Sequence, residues 1–310
     1  MSLPSVNAPA GARDCPVCGG RDAELFLNKG ALRLVRCLTC SMVRQDPVSA
    51  EFISGQYYEQ AGEDYYLSPA KLESDYAEVR FQRELRLFRR FCPAGAVLDV
   101  GCSSGAFLYQ LQRRFPGAYD LLGTDVSSAP LDYAASKGLP VAPGSFPDLD
   151  FRGKTFDAVT FWAVLEHLPE PKRFLERAAS ILKAGGLCFV LVPNLRSLAV
   201  RCLGARYRYI YPQHLNYFTS ATLRRLAETQ FSVLRMGSSH FNPLVLWQDW
   251  RSGGAEVSNQ QRAGLLRRTT SYKQNPWLRP ARLVYRCVEA ALSGLGLADN
   301  LAAVLRKKTG

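Results

Sequence analysis

The chain has 310 residues, 47% of them hydrophobic and 21% charged, with a formal net charge of +12. That size holds one large domain or two smaller ones, and the composition is that of an ordinary globular protein. No apolar run reaches the roughly 18 residues of a membrane span, and Met1 to Asp14 lack the apolar stretch of a secretory leader, so a cytoplasmic location is expected.

Nine cysteines, an odd number, argue against a closed disulfide framework. Four of them form two Cys-x-x-Cys pairs, Cys15/Cys18 and Cys37/Cys40, with 18 residues between the pairs. This spacing suits a tetrahedral four-thiolate zinc site, closed and therefore structural. Leu25–Leu27 and Leu32–Val35 predict the two short strands of a ribbon. So small a module has little core of its own, and the metal would fold it. The remaining five, Cys92, Cys102, Cys188, Cys202 and Cys287, sit in apolar settings and read as buried small hydrophobes.

A tyrosine-rich connector follows, Gln56 to Tyr66, and then a helix from about Pro69 to Phe91, ended by Pro93 and Gly95. The tyrosines suit either a cap over a ligand pocket or packing against the ribbon. From residue 96 short apolar runs alternate with amphipathic helices, the pattern of a parallel sheet covered on both faces. The strands are Val97–Val100, Leu121–Thr124, a short one near Leu139–Ala142, Phe156–Phe161 and Leu187–Val192. A helix beginning at Pro171 is closed by Lys183-Ala184-Gly185-Gly186.

The first strand runs into Asp99-Val100-Gly101-Cys102-Ser103-Ser104-Gly105, and a second acid, Asp125, stands 26 positions after the first. A glycine turn between strand and helix admits an adenosine-containing cofactor, and an acid beyond the next strand takes ribose hydroxyls. The pattern is Asp-x-Gly-x-x-x-Gly, not the Gly-x-Gly-x-x-Gly of dinucleotide sites. An acid two residues before the glycine suits a cationic amino group better than a pyrophosphate.

With this turn, the segments Lys154–Val159, Val164-Leu165-Glu166-His167-Leu168, Leu182–Gly186, His214–Thr219 and Leu223–Met236 occur in the order of the class I S-adenosylmethionine-dependent methyltransferases, which the chain resembles over about residues 70–240. The resemblance implies an α/β fold: a Rossmann-like, seven-stranded, mostly parallel sheet with helices on both faces, here with an N-terminal zinc ribbon and a helical insertion near the C-terminus. It implies S-adenosyl-L-methionine as cofactor. Asp99 would steady its amino end, with Gly101, Cys102, Ser103 and Gly105 forming the turn. Asp125 would accept both ribose hydroxyls, next to Val126. Ser145 and Phe146 fall where the family usually carries an acid near the adenine, and Phe146 would stack on the ring.

The family's sheet ends in an antiparallel hairpin. Phe231–Met236 fits its sixth strand, and Asn300–Leu305 its seventh, although a helix over Leu295–Leu305 fits the same residues. The expected division is 1–46 ribbon, 47–93 connector and capping helix, and 94–310 methyltransferase domain, with 237–297 a basic, mainly helical insertion above the substrate mouth. Residues 251–290 carry eight Lys/Arg against two acids, and 195–211 four arginines and no acid. Such excess suits an anionic partner, and a solvated face explains it as well.

Methyl transfer is an in-line displacement that needs alignment, and a base only where the acceptor holds a proton of high pKa. His167, with Glu166 beside it, follows the fourth strand, where the acceptor should lie. The Glu-His pair resembles that of sugar C-methyltransferases, which also carry an N-terminal zinc module but are longer. His214, in the lid after Arg206–Tyr211, is the second candidate. Both histidines also read as satisfied structural residues, and His240 has no visible partner. The expected acceptor is a small or lipid-linked, anionic, sugar- or nucleotide-sugar-like metabolite. The rivals are an RNA, gripped by ribbon and insertion, and a cofactor-binding scaffold without turnover.

Overall fold

The computed structural model describes residues 13–253, 257–275, 277 and 279–309; residues 1–12 of the expected ribbon lie outside them. In chain order come β1 (Ala23–Lys29), β2 (Leu32–Cys37), β3 (Val43–Gln45), α1 (Ala50–Ile53), α2 (Gln56–Ala61), a π turn at Gly62–Tyr66, α3 (Pro69–Asp75) and α4 (Gln82–Phe91). Then follow β4 (Gly95–Val100), α5 (Ala106–Arg114), β5 (Tyr119–Asp125), α6 (Ser128–Ser136), β6 (Val141–Pro143), β7 (Phe156–Trp162), α7 (Pro171–Ile181) and β8 (Leu182–Pro193). The chain ends with α8 (Leu198–Leu203), β9 (Asn216–Tyr217), α9 (Ser220–Ala227), β10 (Phe231–Ser239), α10 (Pro243–Ser252), α11 (Asn259–Gln274), α12 (Arg279–Gly294) and β11 (Asn300–Lys307).

Seven strands form the large sheet in the order β10-β11-β8-β7-β4-β5-β6. All run parallel except β11, which is antiparallel to both β10 and β8. The central strand β4 is apolar on both faces because both are covered. Leu98 and Val100 enter the core that holds Phe161 and Val190, and Val97 enters the one that holds Leu108 and Leu111. Parallel strands leave their carboxyl ends on one edge, and there the ligand crevice opens.

Asn300–Lys307 is a strand, so a helix over Leu295–Leu305 does not form: its buried residues close the sheet between β10 and β8. Helices α10, α11 and α12 fill the interval between β10 and β11.

The structure departs from expectation at three further points. The helix expected over Pro69–Phe91 is two helices, broken around Phe81, whose φ is +59°. In the break, side chains from α5 take up backbone carbonyls that a continuous helix would use internally: Gln110 Nε2 donates to Ala77 O at 2.7 Å and Arg114 to Glu78 O. The break also lets Tyr76 donate its hydroxyl proton to Ser104 O in the glycine turn. Secondly, α7 ends at Ile181, and Lys183–Gly186 belong to β8, where a bulge opposite β7 and the positive φ of Gly185 absorb them. Thirdly, Cys202 and Cys287 are exposed, whereas Cys92, Cys102 and Cys188 are buried; all nine cysteines are free thiols.

A second, four-stranded sheet has the order β1-β2-β3-β9. Its edge strand β9 comes from the segment that carries His214, and it pairs antiparallel with β3 at Val43↔Tyr217 and Arg44↔Asn216. The N-terminal module is thus joined to the lid by backbone hydrogen bonds. Arg13 donates to Pro169 O at 2.9 Å, and Lys29 Nζ to Ile210 O at 2.8 Å. Arg44 is fully buried and donates to Arg13 O.

Candidate functional site

At the tip of β4 the chain turns through Gly101 (φ +70°), Ser103 (φ +50°) and Gly105 (φ +77°) into α5. Gly101 and Cys102 donate their N–H groups to Thr124 O, which ties the turn to β5. Asp125, the last residue of β5, accepts Ser103 N–H at 2.8 Å on one oxygen and Ser127 N–H at 3.0 Å on the other. Each oxygen keeps a lone pair for a ligand hydroxyl. Asp99 is buried, and Thr160 Oγ1 donates to it at 2.5 Å. Burial pushes its carboxyl up to about 7, against that hydrogen bond.

These groups open into a cavity of about 690 Å3. Asp99, Gly101, Cys102, Ser103, Asp125, Val126 and Phe146 line it; Gly105 and Ser145 do not. Gly105 is required by packing instead. A Cβ there would stand 2.4 Å from Leu139 Cδ1 and 2.9 Å from Ala134 Cβ, in a backbone conformation that side chains disfavour. Gly105→Ala should therefore cost about 2–4 kcal/mol, read as a lower Tm.

The connector closes the cofactor end. Tyr58 O accepts from Ser127 Oγ at 2.9 Å, and Glu59 accepts Ser128 N–H at 2.9 Å, an acid at the start of α6 where the helix dipole favours it. Tyr58, Tyr65 and Tyr66 line the cavity and Tyr57 does not, so three of the four connector tyrosines face the pocket.

At the other end, β7 is followed by a 3-10 turn, Leu165–His167. Glu166 is 1% exposed, its carbonyl accepts Leu215 N–H at 2.8 Å, and its Oε2 has no hydrogen-bond partner. Burial pushes its carboxyl up to about 8, so at neutral pH it is mostly protonated. His167 Nδ1 meets Gln213 O at 2.9 Å, and His214 Nδ1 meets Tyr209 O at 3.0 Å. Carbonyl oxygens only accept, so both Nδ1 atoms carry the proton and both Nε2 lone pairs are free. The two rings lie 4.8 Å apart between centroids, and His167 Nε2 is 4.0 Å from Glu166 Oε1. Burial drives His167 down to about 4 and His214 well below the ordinary range. All three side chains line the same cavity as Asp99 and Asp125.

The four cysteines of the N-terminal module converge. Their Sγ atoms lie within 4.8 Å of one another, with Cys15–Cys40 at 3.4 Å and Cys18–Cys37 at 3.6 Å. Sulfurs on a tetrahedral zinc stand about 3.8 Å apart, so the donor set fits that ion. Backbone N–H groups of Val17 and Cys18 point at Cys15, and those of Thr39 and Cys40 at Cys37. Gly20 leaves room for the sulfurs: a Cβ there would meet Cys18 Sγ at 3.3 Å. Because β3 pairs with β9, we expect chelation to loosen the lid as well as the module. Hydrogen exchange of residues 13–46 and 207–217 should rise together on treatment with a chelator.

Sequence reasoning passed over Thr160 and Arg262, single residues in no motif, and the pair His240–Glu84, whose Nε2 and Oε1 lie 2.6 Å apart at the cavity wall. It left the lid arginines open between an anionic partner and a solvated face. Arg208 is held by Asp249, at 2.6 Å and 2.7 Å, and Arg206 is exposed.

Residues 74–234 match the model of a family described as a methyltransferase domain, just over half of the chain. A ubiquinone biosynthesis O-methyltransferase of Aeromonas salmonicida is 28% identical over 163 residues, 48% of this chain and 67% of that protein. A trans-aconitate 2-methyltransferase of Deinococcus radiodurans is 37% identical over 101 residues, 33% of this chain and 39% of that protein. An uncharacterized protein of Methanocaldococcus jannaschii is matched over 51% of its length, so the chain spans about half to two thirds of the first relatives it matches. A SAM-dependent methyltransferase structure from Archaeoglobus fulgidus superposes with a TM-score of 0.50 at 19% identity, covering 81% of this chain and all of that one. At that identity the likeness speaks for the fold.

Proposed function

This chain belongs to the methyltransferase-domain family; we propose that it is an S-adenosylmethionine-dependent methyltransferase, that its acceptor is a small or lipid-linked, anionic metabolite, sugar- or nucleotide-sugar-like, and that His167 is its base. The observation that carries this reading is the single cavity, with ribose- and amine-binding acids at one end and two Nε2 lone pairs at the other.

S-adenosylmethionine, when bound, supplies a methyl group on a sulfonium. Asp125 would hold the ribose hydroxyls and Asp99 the amino end, and the Gly101–Ser103 turn, Val126 and Phe146 would line the rest of the cofactor's pocket. The acceptor atom would take that methyl group. Its proton passes to Nε2 of His167, whose Nδ1–H stays on Gln213 O. Glu166 acts as a neutral acid that orients the acceptor or the imidazole. His214, fixed by Tyr209 O, completes the wall. Glu166, His167 and His214 also offer a three-ligand cluster within 4.8 Å. A carboxyl kept protonated by burial is a poor ligand, so proton transfer is the reading we hold.

The zinc is structural: four thiolates leave it no open position. We divide the chain into a ribbon (1–46), a connector that caps the pocket (47–93) and the methyltransferase domain (94–310), with 237–297 inserted between its last strands. Exposed Trp247 and Trp250 on α10, beside Arg251, favour the lipid-linked form of the acceptor. The test is transfer of labelled methyl to a metabolite extract and, separately, to RNA. Retention on RNA that falls steeply with salt and ends in labelled RNA would replace the metabolite reading. Cofactor binding without any labelled product would leave a scaffold.

A further inference from the structure

Helix α11 (Asn259–Gln274) brings one cation to the acceptor end of the cavity. Its first turn is held by a capping box, in which Ser258 and Gln261 each bond the other's backbone N–H. Its far end is fixed to α3 by Ser74 Oγ and Thr270 Oγ1 at 2.7 Å and by Arg267–Glu73 at 3.0 Å. Arg262, in that first turn, lines the cavity with its Cζ 4.0 Å from the centre of the Tyr211 ring. The other cations of the lining have carboxylate partners: Lys71 and Arg80 share Asp75, and Arg208 pairs with Asp249. Arg262 has no carboxylate partner among the described residues, and its buried Nε has no hydrogen-bond acceptor. The Tyr211 ring also packs on His214 at 4.4 Å, so the guanidinium stands one phenol ring from the histidine pair.

A guanidinium with a buried Nε and no counter-charge is costly, and a ligand that brings one negative charge reduces the cost. We propose that Arg262 is the acceptor's anion site and holds a carboxylate about one ring's width from the atom methylated beside His167. This rests on the methyltransferase reading above and narrows its acceptor to one that carries a carboxylate, which sets the nucleotide-sugar form aside. One unpaired guanidinium balances one charge, and its planar fork matches the two oxygens of a carboxylate. A diphosphate would leave charge uncompensated there. The charge of Arg262 also lowers the proton affinity of His167 and His214. A carboxylate on Arg262 relieves that effect, so the bound acceptor makes His167 a stronger base.

The test uses the full chain saturated with S-adenosylhomocysteine, titrated calorimetrically with para-hydroxybenzoate and para-coumarate, each against its carboxamide, and with inorganic pyrophosphate. The wild type should bind at least one acid about ten- to a hundredfold more tightly than its amide. Arg262→Gln should erase that ratio and Arg262→Lys should keep part of it. Both should bind S-adenosylhomocysteine as the wild type does, which shows that they fold. Equal binding of acid and amide, no binding of either acid, or an acid preference that survives in Arg262→Gln would each overturn the proposal. A preference for pyrophosphate overturns it too and gives the site to a diphosphate. Absence of S-adenosylhomocysteine binding by the wild type would instead strike the methyltransferase reading itself.

Discussion

Asp125→Ala should lower affinity for S-adenosylmethionine by about a hundred- to a thousandfold, measured by calorimetry on folded protein. The carboxylate is asked to do two jobs. In the empty turn it accepts the N–H groups of Ser103 and Ser127, one on each oxygen. Towards the ligand it would accept two ribose hydroxyls, and hydrogen bonds to a charged acceptor are worth about 1.5–3 kcal/mol each when net. Loss of both hydroxyl bonds accounts for the predicted factor. Loss of the two backbone bonds removes the partner of the Ser103 N–H, at a residue of positive φ, and should lower Tm moderately. Asp125→Asn separates the effects. It keeps the volume and one acceptor oxygen but turns a donor towards one of the serine N–H groups, so its affinity should fall between those of the wild type and the alanine variant. An unchanged affinity in Asp125→Ala would mean that the nucleoside lies elsewhere in the cavity.

The cofactor end was legible because its parts lie close together in the chain. Asp99, Gly101 and Ser103 belong to one turn, and Asp125 ends the adjacent strand. Hydrophobic periodicity disclosed the parallel strands, because strands buried on both faces read as apolar runs, whereas β11 was expected from the resemblance and its residues fitted a helix as well. The acceptor end is different. Tyr58, His167, His214 and Arg262 come from separate segments that only the tertiary fold unites. No local pattern marks Arg262 as the unpaired arginine, since its distinction is the lack of a neighbour, and neighbours are a property of packing. For the same reason Arg208 looked available, although Asp249, 41 residues later, holds it. The break between α3 and α4 was also hidden. Its cause is Gln110 and Arg114, on a helix that follows it, and propensity within residues 76–81 carries no trace of them. The ribbon's spacing disclosed four thiols, but not that the module shares a sheet with the lid: that depends on a two-residue strand, β9, too short to show a period.

His167→Ala should lower kcat by about a hundredfold or more, the usual contribution of a placed general base, with the affinity for cofactor unchanged. The pH behaviour carries the sharper distinction. His167 is held down to about 4, so in the free enzyme its imidazole is neutral at every pH above about 5. Between 4 and its unfolded value of 6.5 the unfolded chain binds a proton that the folded chain refuses. This histidine therefore removes stability as pH falls through that window, and His167→Ala should flatten the acid limb of a Tm–pH curve. Glu166 acts in the opposite sense. Its carboxyl, raised from 4.5 to about 8, stays protonated in the fold while the unfolded chain ionises, so its contribution declines as pH rises from 4.5 to 8. If Glu166 works as a neutral acid, Glu166→Gln preserves both its shape and its charge state. Turnover should then fall by less than about tenfold, and the alkaline loss of stability should vanish. Were the carboxylate needed to charge His167, the same variant would be as slow as His167→Ala. The ratio of those two kcat values therefore decides whether the buried pair shares a charge or only a geometry.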